Sequence, residues 1–275
     1  MIDKLRVAAI QMVSTMDVKT NLKTAGMLLD QAAAMGVKLA VLPENWPLMG
    51  ISERDKLACQ EEYGNGPLQE FLAEKARSLG FWILGGAIPL ISDKPDRVYN
   101  SCLLYNPDGV CIARYDKIHL FDVYVGTDNN EIYRESDTIA PGREVTVANT
   151  PFGNIGMSIC YDLRFPELFR MMLARDVTII AVPSAFTHTT GKQHWETLLR
   201  ARAVENLCFV IAAGQGGQHH ETRETWGHSM IIGPWGDILA SMEKGPGVVC
   251  ADLDLEHLGL LRKSFPALEH KILIN

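Results

Sequence analysis

Residues 147–167 read V-A-N-T-P-F-G-N-I-G-M-S-I-C-Y-D-L-R-F-P-E, and the rest of the chain is organised around them. Residues 149–153, with Pro151 and Gly153, predict a turn. Residues 155–159 alternate Ile155, Met157 and Ile159 with the small Gly156 and Ser158, the pattern of a short buried strand. Cys160 follows at once. Pro166 and Glu167 suit the first turn of a helix, where a missing N–H costs nothing and the dipole is positive. A thiol is thus predicted at a strand end just ahead of a helix, where backbone N–H groups can face an anion. That placement suits a nucleophilic thiolate and the oxyanion it generates. A buried structural cysteine fits the same stretch equally well.

Composition narrows the class. The 275 residues allow one large domain or two small ones, and a hydrophobic share of 47% supplies material for a core. A net charge of −7 argues against a nucleic-acid partner, which needs a basic surface, yet one local Arg or Lys suffices to hold a small carboxylate. The six cysteines, Cys59, Cys102, Cys111, Cys160, Cys208 and Cys250, include no C-x-x-C pair, so neither a zinc ribbon nor a thioredoxin-like motif is indicated. Residues 1–12 lack the apolar core and cleavage site of a signal peptide, and no apolar run approaches the ~20 residues of a membrane helix. Reduced thiols, a cytoplasmic location and no membrane partner are expected.

Apolar runs at 5–11, 37–42, 81–89, 177–182 and 207–213 predict buried strands. Helical spacing at 21–35, 67–79 and 191–206 predicts helices, the first stopped by Gly36 and the second by Gly80. Residues 53–63 read as a polar helix, and a further helix is expected from just after Cys160 to about Ala174. Asn106-Pro107-Asp108-Gly109 predicts a hairpin turn between strands at 99–105 and 110–116. Residues 227–252 predict two or three strands turning at Pro234-Trp235-Gly236. Residues 122–142, including Gly126, and 214–225 read as loops, the former at a pocket mouth. The two halves repeat one order of elements. Leu42-Pro43-Glu44 matches Val182-Pro183-Ser184, and residues 81–89 match 207–215. A duplicated α/β unit follows, each half a sheet with helices on one face, the two sheets stacked with helices outside. No Pro-, Ser- or Gly-rich linker divides the halves, so residues 1–275 read as a single domain.

Three polar residues fall at strand ends or in adjoining loops, where α/β sheets form pockets: Glu44, Lys117 and Cys160. Taken singly, a Glu or Lys there is usually just solvated. Their flanks decide otherwise. A-V-L-P-E-N at 40–45, R-Y-D-K-I-H-L-F-D at 114–122 and S-I-C-Y-D-L-R-F-P-E at 158–167 resemble, in order, the three signatures of the nitrilase superfamily, the carbon–nitrogen hydrolases. The resemblance continues through P-S-A-F-T-H-T-T-G-K-Q-H-W-E at 183–196, R-A-R-A-V-E-N at 200–206 and G-H-S-M-I-I-G-P-W-G at 227–236, nearly the whole chain. It implies the family's four-layer αββα sandwich with internal pseudo-two-fold duplication. It also implies Glu44 as general base, Lys117 as oxyanion stabiliser and Cys160 as nucleophile, with no metal or cofactor, and a homodimer. A second glutamate after the lysine belongs to the same pattern. Tyr124 and Val125 stand where some members carry it, whereas Arg134-Glu135-Ser136 matches the form in which others supply it. Glu135 is expected to orient Lys117 and keep it charged, with a surface Glu as the alternative.

C-Y-D-L-R-F-P-E, A-F-T-H-T-T-G-K-Q-H-W-E and H-H-E-T-R-E-T-W-G-H-S-M together look most like the deaminated glutathione amidase branch of that superfamily. That likeness implies a small-molecule amide substrate with an oxo-acid end, N-(4-oxoglutaryl)-cysteinylglycine, cut to 2-oxoglutarate and Cys-Gly. In that branch Arg164 and Thr190 would hold the oxo-acid end, and the Tyr161 N–H would join Lys117 at the oxyanion. A guanidinium fork suits a carboxylate; a structural ion pair of Arg164 with Glu167 or Asp162 is the alternative. The sister ω-amidases, which act on 2-oxoglutaramate, share the acyl half of the reaction and stay open. A non-catalytic binding protein on the same fold is the rival class, though its mark would be loss of Glu44, Lys117 or Cys160. A thiol redox protein would need a resolving cysteine, and none lies near Cys160 in sequence. His188, His194, His219, His220 and His228 fit no H-E-x-x-H or zinc-finger spacing, so no metal is expected. Trp195, Trp226 and Trp235 read as packing residues.

Overall fold

In a computed structural model describing residues 4–125 and 131–272, the chain opens with β1 (Lys4–Gln11). Successive strand side chains point to opposite faces, so Leu5, Val7 and Ala9 enter one core while Ala8 and Ile10 enter another. α1 (Val18–Ala34) begins where the Asp17 side chain accepts from the Thr20 N–H, and it stops before Gly36, whose φ of 76° is left-handed. β2 (Leu39–Val41), a 3-10 turn at Glu53–Cys59, α2 (Pro67–Leu79), β3 (Trp82–Leu84), β4 (Ile88–Ile91), β5 (Val98–Tyr105) and β6 (Cys111–Asp116) complete the first half. A hairpin of β7 (Asp122–Val125) and β8 (Glu131–Arg134) leads on. The second half runs β9 (Val147–Thr150), β10 (Gly153–Met157), α3 (Pro166–Leu173), β11 (Val177–Ala181), α4 (His188–Asn206) and β12 (Phe209–Ala212). It closes with a small hairpin, β13 (Gln218–His220) and β14 (Arg223–Glu224), then β15 (Ser229–Ile232), β16 (Ile238–Met242), β17 (Gly247–Asp254) and α5 (Leu255–Ser264).

One sheet has the order β17-β1-β2-β3-β5-β4 with β6 on β5; the other runs β16-β15-β12-β11-β10-β9. β1, β2 and β3 are parallel, and so are β10, β11 and β12. β17 lies antiparallel on β1 as β9 lies on β10. The halves therefore repeat, with the last strand crossing over to complete the first sheet. Val7, Ala9, Leu39, Val41 and Leu84 of the first sheet share a core with Ile155, Met157, Ile179 and Val210 of the second. Leu168, Phe169 and Met172 of α3 and Leu199 and Ala203 of α4 join that core. On the far side of the first sheet, Ala25 and Leu29 of α1 and Leu68, Leu72 and Ala76 of α2 pack on Ala8, Ile10 and Ile83. The layers are helix, sheet, sheet, helix, an αββα sandwich. Each Val, Leu or Ile withdrawn from water contributes roughly 1.5–3 kcal/mol.

Residues 81–89, expected as one strand, are two. Gly86 has φ of 62°, a Cβ on it would sit 2.1 Å from the Pro43 carbonyl oxygen, and Trp46 Nε1 donates to the Gly85 carbonyl at 2.7 Å. The break lets Glu44 run beside Ala87 in a parallel bridge, as Ser184 runs beside Gly214 in the other half. Residues 53–63 form only the 3-10 turn Glu53–Cys59. The stretch after Cys160 is another 3-10 turn, Cys160–Arg164, before α3 starts at Pro166. The loops expected at 122–142 and 214–225 contain the β7–β8 and β13–β14 pairs. Such short strands carry no sustained apolar alternation for a sequence pattern to reveal. Gly126 lies outside the described residues.

Candidate active site

The duplicated strand ends meet at one point. Glu44 follows Pro43 beyond β2, Ala185 follows Pro183 and Ser184 beyond β11, and the Ala185 N–H donates to Glu44 Oε2 at 3.0 Å. Lys117 follows β6 and is gripped by its backbone: its N–H donates to the Asn100 carbonyl at 3.0 Å, and its carbonyl accepts from Gly142 at 2.8 Å. Lys117 Nζ donates to Glu44 Oε1 at 2.9 Å and to both Glu135 oxygens at 2.8 Å. Asn100 Nδ2 gives Glu44 Oε1 a further bond at 2.9 Å, and the Phe121 N–H gives Glu135 Oε2 one at 2.7 Å. Cys160 and Glu44 line the same cleft, close enough for the charge of each to act on the other. Glu44, Lys117, Glu135 and Cys160 are all buried, the sulfur residue least so at 8% exposure.

Cys160 holds φ at 50°, a left-handed conformation that costs a non-glycine residue about 1–3 kcal/mol. Its N–H donates to the Pro183 carbonyl at 2.8 Å. Asp162, fully buried two residues on, secures the bend. Its Oδ2 accepts from the Ile159 N–H at 2.9 Å and from the Tyr115 hydroxyl at 2.7 Å. Its Oδ1 accepts from the His119 N–H at 3.0 Å and lies 2.7 Å from His119 Nδ1, which carries the proton because a carboxylate only accepts. Tyr115 and His119 flank Lys117, so one carboxylate ties the sulfur's bend to the strand end that carries the ammonium.

Burial pushes the Cys160 thiol well above its ordinary range, and the Glu44 charge pushes it further against the pull of Lys117. Burial also raises the Glu44 carboxyl, but Lys117 and Lys56 overrule it and hold the group below the usual carboxylate range. Burial lowers Lys117, yet Glu135 and Glu44 lift it well above the usual ammonium range. Glu135 is raised by burial and by the Glu44 charge, with Lys117 opposing. The resting cluster is a protonated sulfur beside a charged Glu44, with a fixed cation alongside. Such a set can attack a carbonyl carbon, accept the thiol proton and hold the resulting oxyanion.

A cleft opens onto this cluster, and Tyr161 and Thr190 line it. Thr190 Oγ1 lies 2.8 Å from Thr187 Oγ1, also on the wall. Arg164, expected to hold a substrate carboxylate, borders the cleft through two of its lining rings. Its guanidinium lies over the Tyr161 and Phe186 rings at 5.7 and 5.4 Å, and Nη1 is 3.2 Å from His194 Nδ1. The alternative ion pairs with Glu167 and Asp162 do not form.

Sequence reasoning missed Asn100, Tyr115 and Asp162, whose partners are distant in the chain, and the cleft residues Glu53, Lys56, Tyr133 and Arg223. Lys56 is buried and bonded to Glu53; burial raises Glu53, but Lys56 brings it down to about 2. The capping box of Ser52 and Asp55 was the available local signal for the turn that carries them. Arg223 had no such signal. Among the described residues, no group of three or more His, Cys, Asp and Glu side chains is placed to hold a metal, and no helix is long and apolar enough to cross a membrane.

The carbon-nitrogen hydrolase family model matches residues 6–263, and the chain belongs to that family. It is similar to the deaminated glutathione amidase of Yersinia enterocolitica, 42% identical over 96% of this chain and 92% of that protein. The Homo sapiens deaminated glutathione amidase is 40% identical over 96% of this chain and 81% of that protein. The crystal structure of the C. elegans NitFhit protein superposes with a TM-score of 0.87 at 33% identity, covering 98% of this chain and 65% of that one. The present chain thus spans about two-thirds of NitFhit.

Proposed function

We propose that this protein is an amidase that hydrolyses deaminated glutathione to 2-oxoglutarate and Cys-Gly through a cysteine thioester. The meeting of Glu44, Lys117 and Glu135 around the Cys160 sulfur carries the reading, and relatives named for that substrate support it. Cys160 attacks the amide carbon as its proton passes to Glu44, which shares the cleft with the sulfur and is held ionised by Lys117. The Lys117 ammonium and the Tyr161 N–H take the oxyanion, and losing such a donor costs about 3 kcal/mol. Glu44 returns the proton to the departing nitrogen, the C–N bond breaks, and a thioester remains. Glu44 then deprotonates a water that hydrolyses it. Glu135 keeps Lys117 charged and aimed. Arg164 and Thr190 hold the oxo-acid end, the guanidinium resting against the cleft rings of Tyr161 and Phe186.

The reading includes one domain over residues 1–275, a cytoplasmic location and a homodimer. Met171 on α3, Val204 on α4 and Phe265 beyond α5 expose large apolar side chains, which supports contact between copies on that face. A side-by-side assay tests the function. Deaminated glutathione should show the higher kcat/KM; a higher value for 2-oxoglutaramate would make the protein an ω-amidase instead.

A further inference from the structure

Beside the cleft runs a groove, and the two share Asn45, Glu53, Lys56, Tyr133 and Arg223 as a common wall. The cleft wall carries three basic residues, Lys56, Lys117 and Arg223. Lys117 is held by Glu44 and Glu135, and Lys56 by Glu53. Arg223 makes no ion pair with any described residue, and its Nε is buried with no hydrogen-bond acceptor among them. Its guanidinium lies 5.1 Å from the centre of the Tyr133 ring, which steadies its plane and leaves Nε without an acceptor among the described residues. The hairpin bearing it is anchored. His219 Nδ1 lies 2.7 Å from the Ser14 carbonyl oxygen, His219 Nε2 lies 2.7 Å from Thr225 Oγ1, and Glu224 accepts from Lys244 at 2.7 Å. A rigidly mounted guanidinium with an unanswered, desolvated N–H is matched by a carboxylate, which accepts two parallel hydrogen bonds.

We propose that Arg223 seats a carboxylate at the far end of the departing amine, so that the groove receives a leaving group of dipeptide size and charge. The inference rests on the amidase reading and adds which half of the substrate the groove takes. Two extended residues span about 7 Å, so a dipeptide's terminal carboxylate lies well away from the scissile nitrogen, whereas ammonia would use none of the groove. Cysteinylglycine and its C-terminal amide, titrated calorimetrically into the wild-type protein, test the seat without any substitution. The free carboxylate should bind at least tenfold more tightly, and Arg223→Gln should erase that difference while Arg223→Lys restores part of it. Equal binding of the two dipeptides by the wild type overturns the proposal. Turnover is read separately as the kcat/KM ratio of the cysteinylglycine amide to the ammonia-releasing amide, which should fall at least tenfold in Arg223→Gln. If the carboxylate preference holds but neither amide is hydrolysed, the seat stands and the amidase reading fails.

Discussion

Replacing Asp162 with Asn should disable the site without touching the sulfur, the ammonium or either glutamate. Asp162 accepts four hydrogen bonds, two on each oxygen, in a fully buried position. An amide keeps one accepting oxygen and turns an NH2 group toward the other two donors. His119 presents two N–H groups that cannot be reversed at once, so the amide oxygen stays with them. The NH2 then faces Tyr115 and Ile159. The Tyr115 hydroxyl can rotate to accept, but the Ile159 N–H, at the entry to the bend, is stranded. One stranded buried N–H plus a weakened set of charge-assisted bonds costs about 2–4 kcal/mol. The strained Cys160 backbone loses its restraint at the same time, and misplacement of the sulfur by about 1 Å lowers kcat on the order of 100-fold. Urea denaturation and steady-state kinetics on the variant would measure both. Tyr115→Phe is the control: it removes one donor, leaves no donor stranded, and should cost about 1 kcal/mol with little loss of kcat. A stable Asp162→Asn protein with wild-type kcat would refute the role assigned to this carboxylate.

Two other outcomes follow from the charges and rings. Because the folded site depresses Glu44, its ionised form, and the stability it contributes, persists above the ordinary carboxyl value of ~4.3 and is lost only as pH falls through its lower folded value. With Cys160 and Lys117 both raised, kcat/KM should stay level from about pH 6 to pH 9, whereas an inflection near the histidine value of ~6.5 would bring an imidazole into the chemistry. Arg164→Lys should raise KM for oxo-acid amides much more than for neutral amides; equal effects on both would mean that Arg164 only braces Tyr161 and Phe186.

The legible parts of this molecule are those whose information is local. The apolar runs, Gly36, Gly80 and the repeated Pro dipeptides led to two stacked sheets, and three short signatures led to Glu44, Lys117 and Cys160, which share one cleft. Glu135 was reached through its flanks and sits 2.8 Å from Lys117 Nζ. The 3-10 turn at Cys160–Arg164 was not legible because the choice between it and an α-helix depends on the Asp162 bonds to Ile159, Tyr115 and His119, partners up to 47 residues away. Arg223 reads in sequence as one more surface cation, and only tertiary packing reveals that it has no ion pair among the described residues. The pairing of 122–125 with 131–134 and of 218–220 with 223–224 hid for a similar reason: short strands are held by pairing rather than by an apolar face.

The central claim is that an acyl group passes through the Cys160 sulfur. Intact-protein mass spectrometry with peptide mapping, on samples acid-quenched during turnover of N-(4-oxoglutaryl)-cysteinylglycine, addresses it directly. The account predicts the 4-oxoglutaryl group on Cys160 of the wild type, and neither adduct nor product from a folded Cys160→Ala protein. Product formed by that alanine variant at the wild-type rate, or an acyl group carried on another residue, would contradict it.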